Sequence, residues 1–407
     1  MGNGAADVPH RPSLAGLDRV RATAALGVVL LHACVPYLSN PMPGLIWPVK
    51  DAASATVDWL FWGIEVFIMP VFLVLAGYLL YRSSLRQSEE ALLRSRAKRL
   101  LVPLGFGLVV ILPIDLYLWT LGLVIEGAVP AVKLKSFKFE SPIGDAIWGT
   151  AHLWFLSYVF SYVAVFAALL RCKKRSIRFG IALRSVTKPR VVLPVLFGVA
   201  VGAVFVSPEV VWGFQHGFLP YPSKWCYCAA FFAAGWFLGS WDRELVWLKT
   251  YAFRTAALGV LFLVAAIALG RWHLQQGGGA SELLVLAVVT TTAAISTTLG
   301  VLGFAVRSDA PVGRSTRYLA AASFWIYLVH HPVVGLTHID LKWLLPEAAP
   351  IVKLMLSFMV TTAFCLASYE LLIVRTRLGL WLGFRSITSV EVVPETVAPA
   401  REFRRAA

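Results

Sequence analysis

Along the chain, apolar residues gather in runs of roughly 20, and most charged residues and prolines fall between them. A helix rises about 1.5 Å per residue, so a run of about 20 crosses about 30 Å of hydrocarbon. The runs predict spans near residues 20–39, 58–82, 100–125, 150–171, 191–206, 222–240, 253–271, 283–305, 318–337 and 350–373, the fifth being short. None alternates as a barrel strand would. Lipid offers no partner to an unpaired backbone group, so each run must close its hydrogen bonds internally as a helix. The expectation is an all-α polytopic membrane protein, a bundle of about ten transmembrane helices. Residues 1–15 precede the bundle and residues 16–380 form it. Residues 381–407 follow, polar and Arg-rich from about 386, and read as a disordered tail.

Composition agrees with a life in lipid. The chain is 58% hydrophobic and 14% charged, with a mean hydropathy of +0.73, against about 25% charged for soluble domains. A net charge of +15 in a soluble chain would suggest nucleic acid as partner. Here the basic residues occupy short loops, where the positive-inside rule accounts for them without nucleic acid. With the N-terminus in the cytoplasm, 29 of the 37 Lys and Arg fall on the cytoplasmic side, including the clusters Arg82 to Arg99 and Arg171 to Arg190. Both termini are therefore expected in the cytoplasm. The first run follows Arg11, Arg19 and Arg21 as in a signal peptide, but it is too long and lacks a small-residue cleavage site, so it reads as a retained helix. Five scattered cysteines suggest neither a disulfide framework nor a zinc site, and no metal is expected. Trp47, Trp59, Trp62, Trp119, Trp148, Trp154, Trp212, Trp225, Trp272 and Trp343 mark span ends, as headgroup-level rings do, and Gly198 with Gly202 makes a small-xxx-small packing pattern.

An ionisable group within hydrocarbon costs about 2.5 kcal/mol or more unless it faces a cavity or a partner. Arg21 sits at the cytoplasmic end of the first span and His32 eleven residues later, about three whole turns and roughly 16 Å away on the same face. The second span runs inward from about Asp58, which places Glu65 roughly 10 Å below the outer surface, at the depth of His32. A Glu65–His32 pair at that depth would fix the imidazole tautomer and leave the other nitrogen as a base. His152, His330, His331 and Asp115 also fall in the outer halves of their spans. Any one of these is as readily a helix cap or an interhelical tie as a chemical group. Arg94-Ser95-Arg96-Ala97-Lys98-Arg99 leads into the third span. Such a basic run serves topology or anionic lipid, and it also suits a polyanionic ligand, because guanidinium grips phosphate bidentately. No Gly-x-Ser-x-Gly elbow occurs, and Cys34 lies about 200° round the helix from His32, which disfavours a Ser or Cys nucleophile.

Together these residues resemble acyltransferase family 3, the integral-membrane acyltransferases. The likeness runs from about residue 14 to 375. It rests on Arg21 separated by ten residues from His32, on Arg96-Ala97-Lys98-Arg99, and on late helices ending in His. Met69-Pro70-Val71-Phe72 with Gly77-Tyr78, His152-Leu153-Trp154-Phe155-Leu156 and Ile326-Tyr327-Leu328 before His330-His331-Pro332 look most like its glucan-succinyltransferase type, glucans biosynthesis protein C. One departure is Ala76, where the family often has Ser.

The resemblance implies an acyl-CoA-dependent O-acyltransferase of the bacterial inner membrane. Succinyl-CoA or acetyl-CoA would bind from the cytoplasm, and the acyl group would end on a hydroxyl of an extracytoplasmic glycan, foremost a periplasmic glucan. On that reading Arg21, Arg96 and Arg99 hold the CoA phosphates. His32 is general base or covalent acyl carrier, Glu65 orients it, and His330 polarises the carbonyl or donates to the acceptor. His152, His331, Asp115 and Asp58 are further candidates. The competing class is a transporter or flippase of an anionic or sugar-linked substrate, which would also need buried charge. The acyl group, the acceptor glycan, direct against two-step transfer, and the oligomeric state are not fixed by the sequence.

Overall fold

The computed structural model describes residues 15–175, 187–308 and 310–384, and among them the regular structure is all helical, with no strand. The ten expected runs all lie in long helices: α1 (Ala15–Cys34), α2 (Ala55–Ser84), α3 (Glu89–Ile125), α4 (Trp154–Arg175), α5 (Pro189–Val206), α6 (Pro222–Trp241), α7 (Val246–Gln276), α8 (Ala280–Arg307), α9 (Arg314–Leu344) and α10 (Pro350–Val374). Among the described residues, nine are long and apolar enough to cross a membrane. The exception is α6, where Trp, Tyr, Gly, Ser and Lys224 dilute the aliphatic content of a 20-residue helix. The N-terminal segment and the tail expected at 381–407 lie largely outside the described residues.

Local chemistry sets the helix boundaries. Ser54 opens α2 by accepting from the Val57 amide at 3.5 Å, and Ser88 opens α3 by accepting from the Ala91 amide at 3.3 Å. α3 therefore starts eleven residues before its apolar run, carrying Arg94, Arg96 and Arg99 as helix rather than loop. Pro103 lies inside this helix and removes a backbone donor, and a wider π turn follows at Gly107–Ile111.

α7 and α8 form a close antiparallel hairpin, α2 packs along α6, and α1 is surrounded by α2, α8, α9 and α10. The closest backbone approach joins α2 and α6. A β-carbon at Gly77 would overlap the Phe232 carbonyl, and one at Gly235 would overlap the Val74 carbonyl. Gly198 and Gly202, by contrast, face no atom within 4 Å, so the packing role expected for that pair is not used. Several tryptophans also depart from expectation. Trp59, Trp148, Trp272 and Trp343 are exposed, but Trp47, Trp62, Trp119, Trp154 and Trp212 are buried, because aromatic stacking inside the bundle outweighs the headgroup position.

Ion pairs tie one end of the bundle together. Asp58, fully buried, meets Arg271 at 3.1 Å and accepts from the amide and side chain of Asn40 at 2.9 and 3.0 Å. Lys353 pairs with Asp51 at 2.8 Å, and Lys342 with Glu126 at 2.6 Å. Asp58 thus clamps the α1–α2 connection to α7. Removing one partner of a buried pair of this kind costs about 3–5 kcal/mol.

Candidate active site

The spacing from Arg21 to His32 puts both on one side of α1, and that side faces a cavity of about 290 Å³ inside the bundle. Arg21 and Arg96 line it towards one end, His32 and His152 towards the other, with Glu65 and Lys224 also in its wall. Arg21 is held by Asp18 at 3.3 Å and by the Ser323 hydroxyl at 3.5 Å, Arg96 by the Ser83 hydroxyl at 2.8 Å. Both guanidinium groups keep further N–H donors for an anion. Ala76 lines the same cavity, so the serine common at that position in the family would stand on its wall.

Beyond the cavity four imidazoles meet. The His32 ring contacts His330 at 4.9 Å and His331 at 5.2 Å between centroids, and His152 contacts the same two at 5.2 and 4.6 Å. Backbone carbonyls fix three tautomers. His32 donates Nδ1–H to Val28 at 2.8 Å, His330 donates Nδ1–H to Tyr327 at 2.8 Å, and His152 donates Nε2–H to Leu328 at 3.1 Å. A carbonyl only accepts, so the other nitrogen of each neutral ring holds a lone pair. His331 differs, for its Nδ1 meets the Asp115 carboxylate at 2.6 Å. Its ring lies between Trp119, stacked at 4.5 Å, and His152, stacked at 4.6 Å.

The Glu65–His32 pairing expected from depth is not made among the described residues. The Val28 carbonyl, one turn earlier on α1, already takes the His32 N–H, and Glu65 interacts electrostatically with Lys224. Arg99 is exposed and does not line the cavity, although it stands about one turn from Arg96 on α3. Asp58 belongs to the end clamp rather than to the cavity. His32, His152, His330, His331 and Asp115, widely separated in sequence, do come together.

Sequence reasoning missed several neighbours. Lys224 is a buried cation in an apolar run, which the cost of ionisable groups in hydrocarbon flags directly. Tyr327 donates to the His152 carbonyl at 2.6 Å, and His338 accepts from Trp47 at 3.0 Å. Trp47 and Trp119 carry no such signal, because a tryptophan at a span end is ordinarily a headgroup anchor.

A multi-pass helical membrane protein with arginine, histidine and carboxylate groups along one internal cavity is the class these features define. The chain belongs to acyltransferase family 3: the family's model, an acyltransferase domain, matches residues 14–370, which include every cavity and cluster residue named above. It is accordingly a membrane acyltransferase. No curated protein and no solved structure matches the chain.

Proposed function

We propose that the protein moves a succinyl or acetyl group from cytoplasmic acyl-CoA to a hydroxyl of an extracytoplasmic glycan, with a periplasmic glucan the favoured acceptor. It would sit in a bacterial inner membrane with both termini in the cytoplasm and the arginine end of the cavity facing inward. The single observation carrying this reading is that Arg21, Arg96 and His32 line one cavity. Phosphates of the donor rest on the two guanidinium groups as charge-assisted hydrogen bonds, and the acyl arm extends along the apolar wall toward His32. The Nε2 lone pair of His32 then serves in one of two ways. It takes the hydroxyl proton during attack on the thioester, or it accepts the acyl group and passes it on. A hydroxyl is a poor nucleophile at neutral pH, and positioned base catalysis contributes about 10²-fold to 10⁴-fold. Lys224 balances Glu65 inside the cavity.

Membranes given isotopically labelled acyl-CoA test this reading. Label should move onto glycan with the native protein, and His32→Ala should reduce that transfer at least about 10²-fold at unchanged protein abundance. Full transfer by His32→Ala would remove the residue from the chemistry. Movement of solute with no thioester consumed would favour a transporter.

A further inference from the structure

A second, smaller pocket of about 40 Å³ lies on the far side of the histidine cluster. Asp115, Trp119, Trp148, Phe214, His216 and His331 line it, and it shares only Leu45 and Phe214 with the larger cavity. Trp148, at its rim, is 46% exposed. The volume holds a few water-sized groups, so it admits the hydroxyl-bearing edge of a ligand while the body of that ligand rests outside against Trp148.

The two chambers differ in charge. The larger presents Arg21, Arg96 and Lys224 with Glu65, whereas the smaller presents Asp115 and no Lys or Arg. His216, in the α5–α6 connection, is pushed by burial down to about 4, so it adds no positive charge at neutral pH. His331 donates Nδ1–H to Asp115, which leaves Nε2 as an acceptor. That Nε2, Asp115 Oδ1, His152 Nδ1 and His330 Nε2 are all buried without a hydrogen-bond partner among the described residues. Of these, His331 Nε2 and Asp115 Oδ1 belong to residues lining the small pocket, whereas His152 lines the larger cavity. A buried acceptor without a donor carries an unreturned desolvation cost, and a hydroxyl supplies one donor that relieves it. An anion would meet the Asp115 carboxylate and acceptor lone pairs. A metal ion fits less well: His331 Nδ1 and Asp115 Oδ2, 2.6 Å apart, are closer than two ligands on one tetrahedral ion, which at bonds of about 2.1 Å lie more than about 3 Å apart.

We propose that this pocket is the acceptor subsite, taking a hydroxyl of a neutral sugar, and that His331 is the catalytic residue that deprotonates it, with Asp115 as its positioning residue. The proposal rests on the acyltransferase reading above, moves the base role given there to His32 onto His331, and keeps His32 on the donor side. The hydroxyl oxygen forms the new C–O bond to the acyl carbon as the thioester C–S bond breaks. The hydroxyl proton passes to His331 Nε2, and the CoA thiolate leaves by the larger cavity, protonated through His32, whose ring meets His331 edge-on.

The test uses the full chain in proteoliposomes, with labelled succinyl-CoA and acetyl-CoA as donors and the producing cells' own glycans, split into neutral and acidic fractions, as acceptors. Donor binding and transfer are read separately. His331→Gln should keep donor affinity within about threefold and lower kcat about 10²-fold or more. Asp115→Asn should lower kcat similarly, with recovery in Asp115→Glu, which a purely structural carboxylate would not give. Trp148→Ala should raise the acceptor KM about five- to tenfold and leave the donor KM unchanged. Neutral glycan should carry the label. Transfer by His331→Gln at the native rate, loss of donor affinity in that variant, or label confined to acidic glycan would each overturn the proposal. Should the native protein bind neither CoA ester, the acyl-CoA donors proposed above fail and this inference goes with them.

Discussion

Arg96 and Arg99 are three residues apart on α3, yet only Arg96 reaches the cavity, where the Ser83 hydroxyl holds it. If Arg96 grips donor phosphate, Arg96→Ala should raise the donor KM about 10-fold to 100-fold, the range of a hydrogen bond to a charged group, while Arg99→Ala should stay within about threefold. Steady-state kinetics over a donor series would check both, and equal effects would mean that the phosphates sit at the exposed end of α3 instead. At this scale the sequence was legible wherever a covalent period decided the outcome. Arg21 and His32 share a face because eleven residues make about three turns. It was not legible where a backbone group competed: depth alone paired Glu65 with His32, but the Val28 carbonyl was nearer to the ring. Nor can any local pattern bring Asp115 to His331, 216 residues away.

Among the helices, apolar run length gave the number of long helices well and their ends poorly. Charged flanks such as Glu89 to Arg99 stay helical beyond any hydrocarbon core, because a Ser88 cap and good helix formers sustain the turn without lipid. The small-residue pair singled out from the sequence, Gly198 with Gly202, is not a contact, whereas Gly77 and Gly235 are, the latter in a second pair of the same spacing, Gly235 with Gly239. Close approach depends on which face another helix occupies, and a single chain segment does not encode that. Gly235→Val should therefore force α2 and α6 apart and abolish monodisperse protein in detergent, whereas Gly198→Ala with Gly202→Ala should elute normally. Size-exclusion profiles of the two variants decide the matter, and a well-behaved Gly235→Val would show that the helix pair tolerates separation.

For the molecule as a whole, the sidedness proposed from Lys and Arg distribution can be read with one native thiol. Cys172 is exposed near the end of α4 and falls beside the dense basic cluster that the positive-inside rule assigns to the cytoplasm. In a Cys226→Ser background, a membrane-impermeant maleimide should leave Cys172 untouched in intact cells lacking an outer barrier and modify it after permeabilisation. Labelling of intact cells would invert the bundle and place the arginines outside.

The stacked rings of Trp119, His331 and His152, with His32 against their edge, stand where the two chambers approach each other. A catalyst that joins reactants from opposite faces of an energised bilayer risks becoming a leak, and an aromatic group packed at the meeting point narrows that route while its centre stays chemically active. Liposomes loaded with the native protein should accordingly hold an imposed proton gradient as long as empty ones, and rapid collapse of that gradient would mean the septum is open.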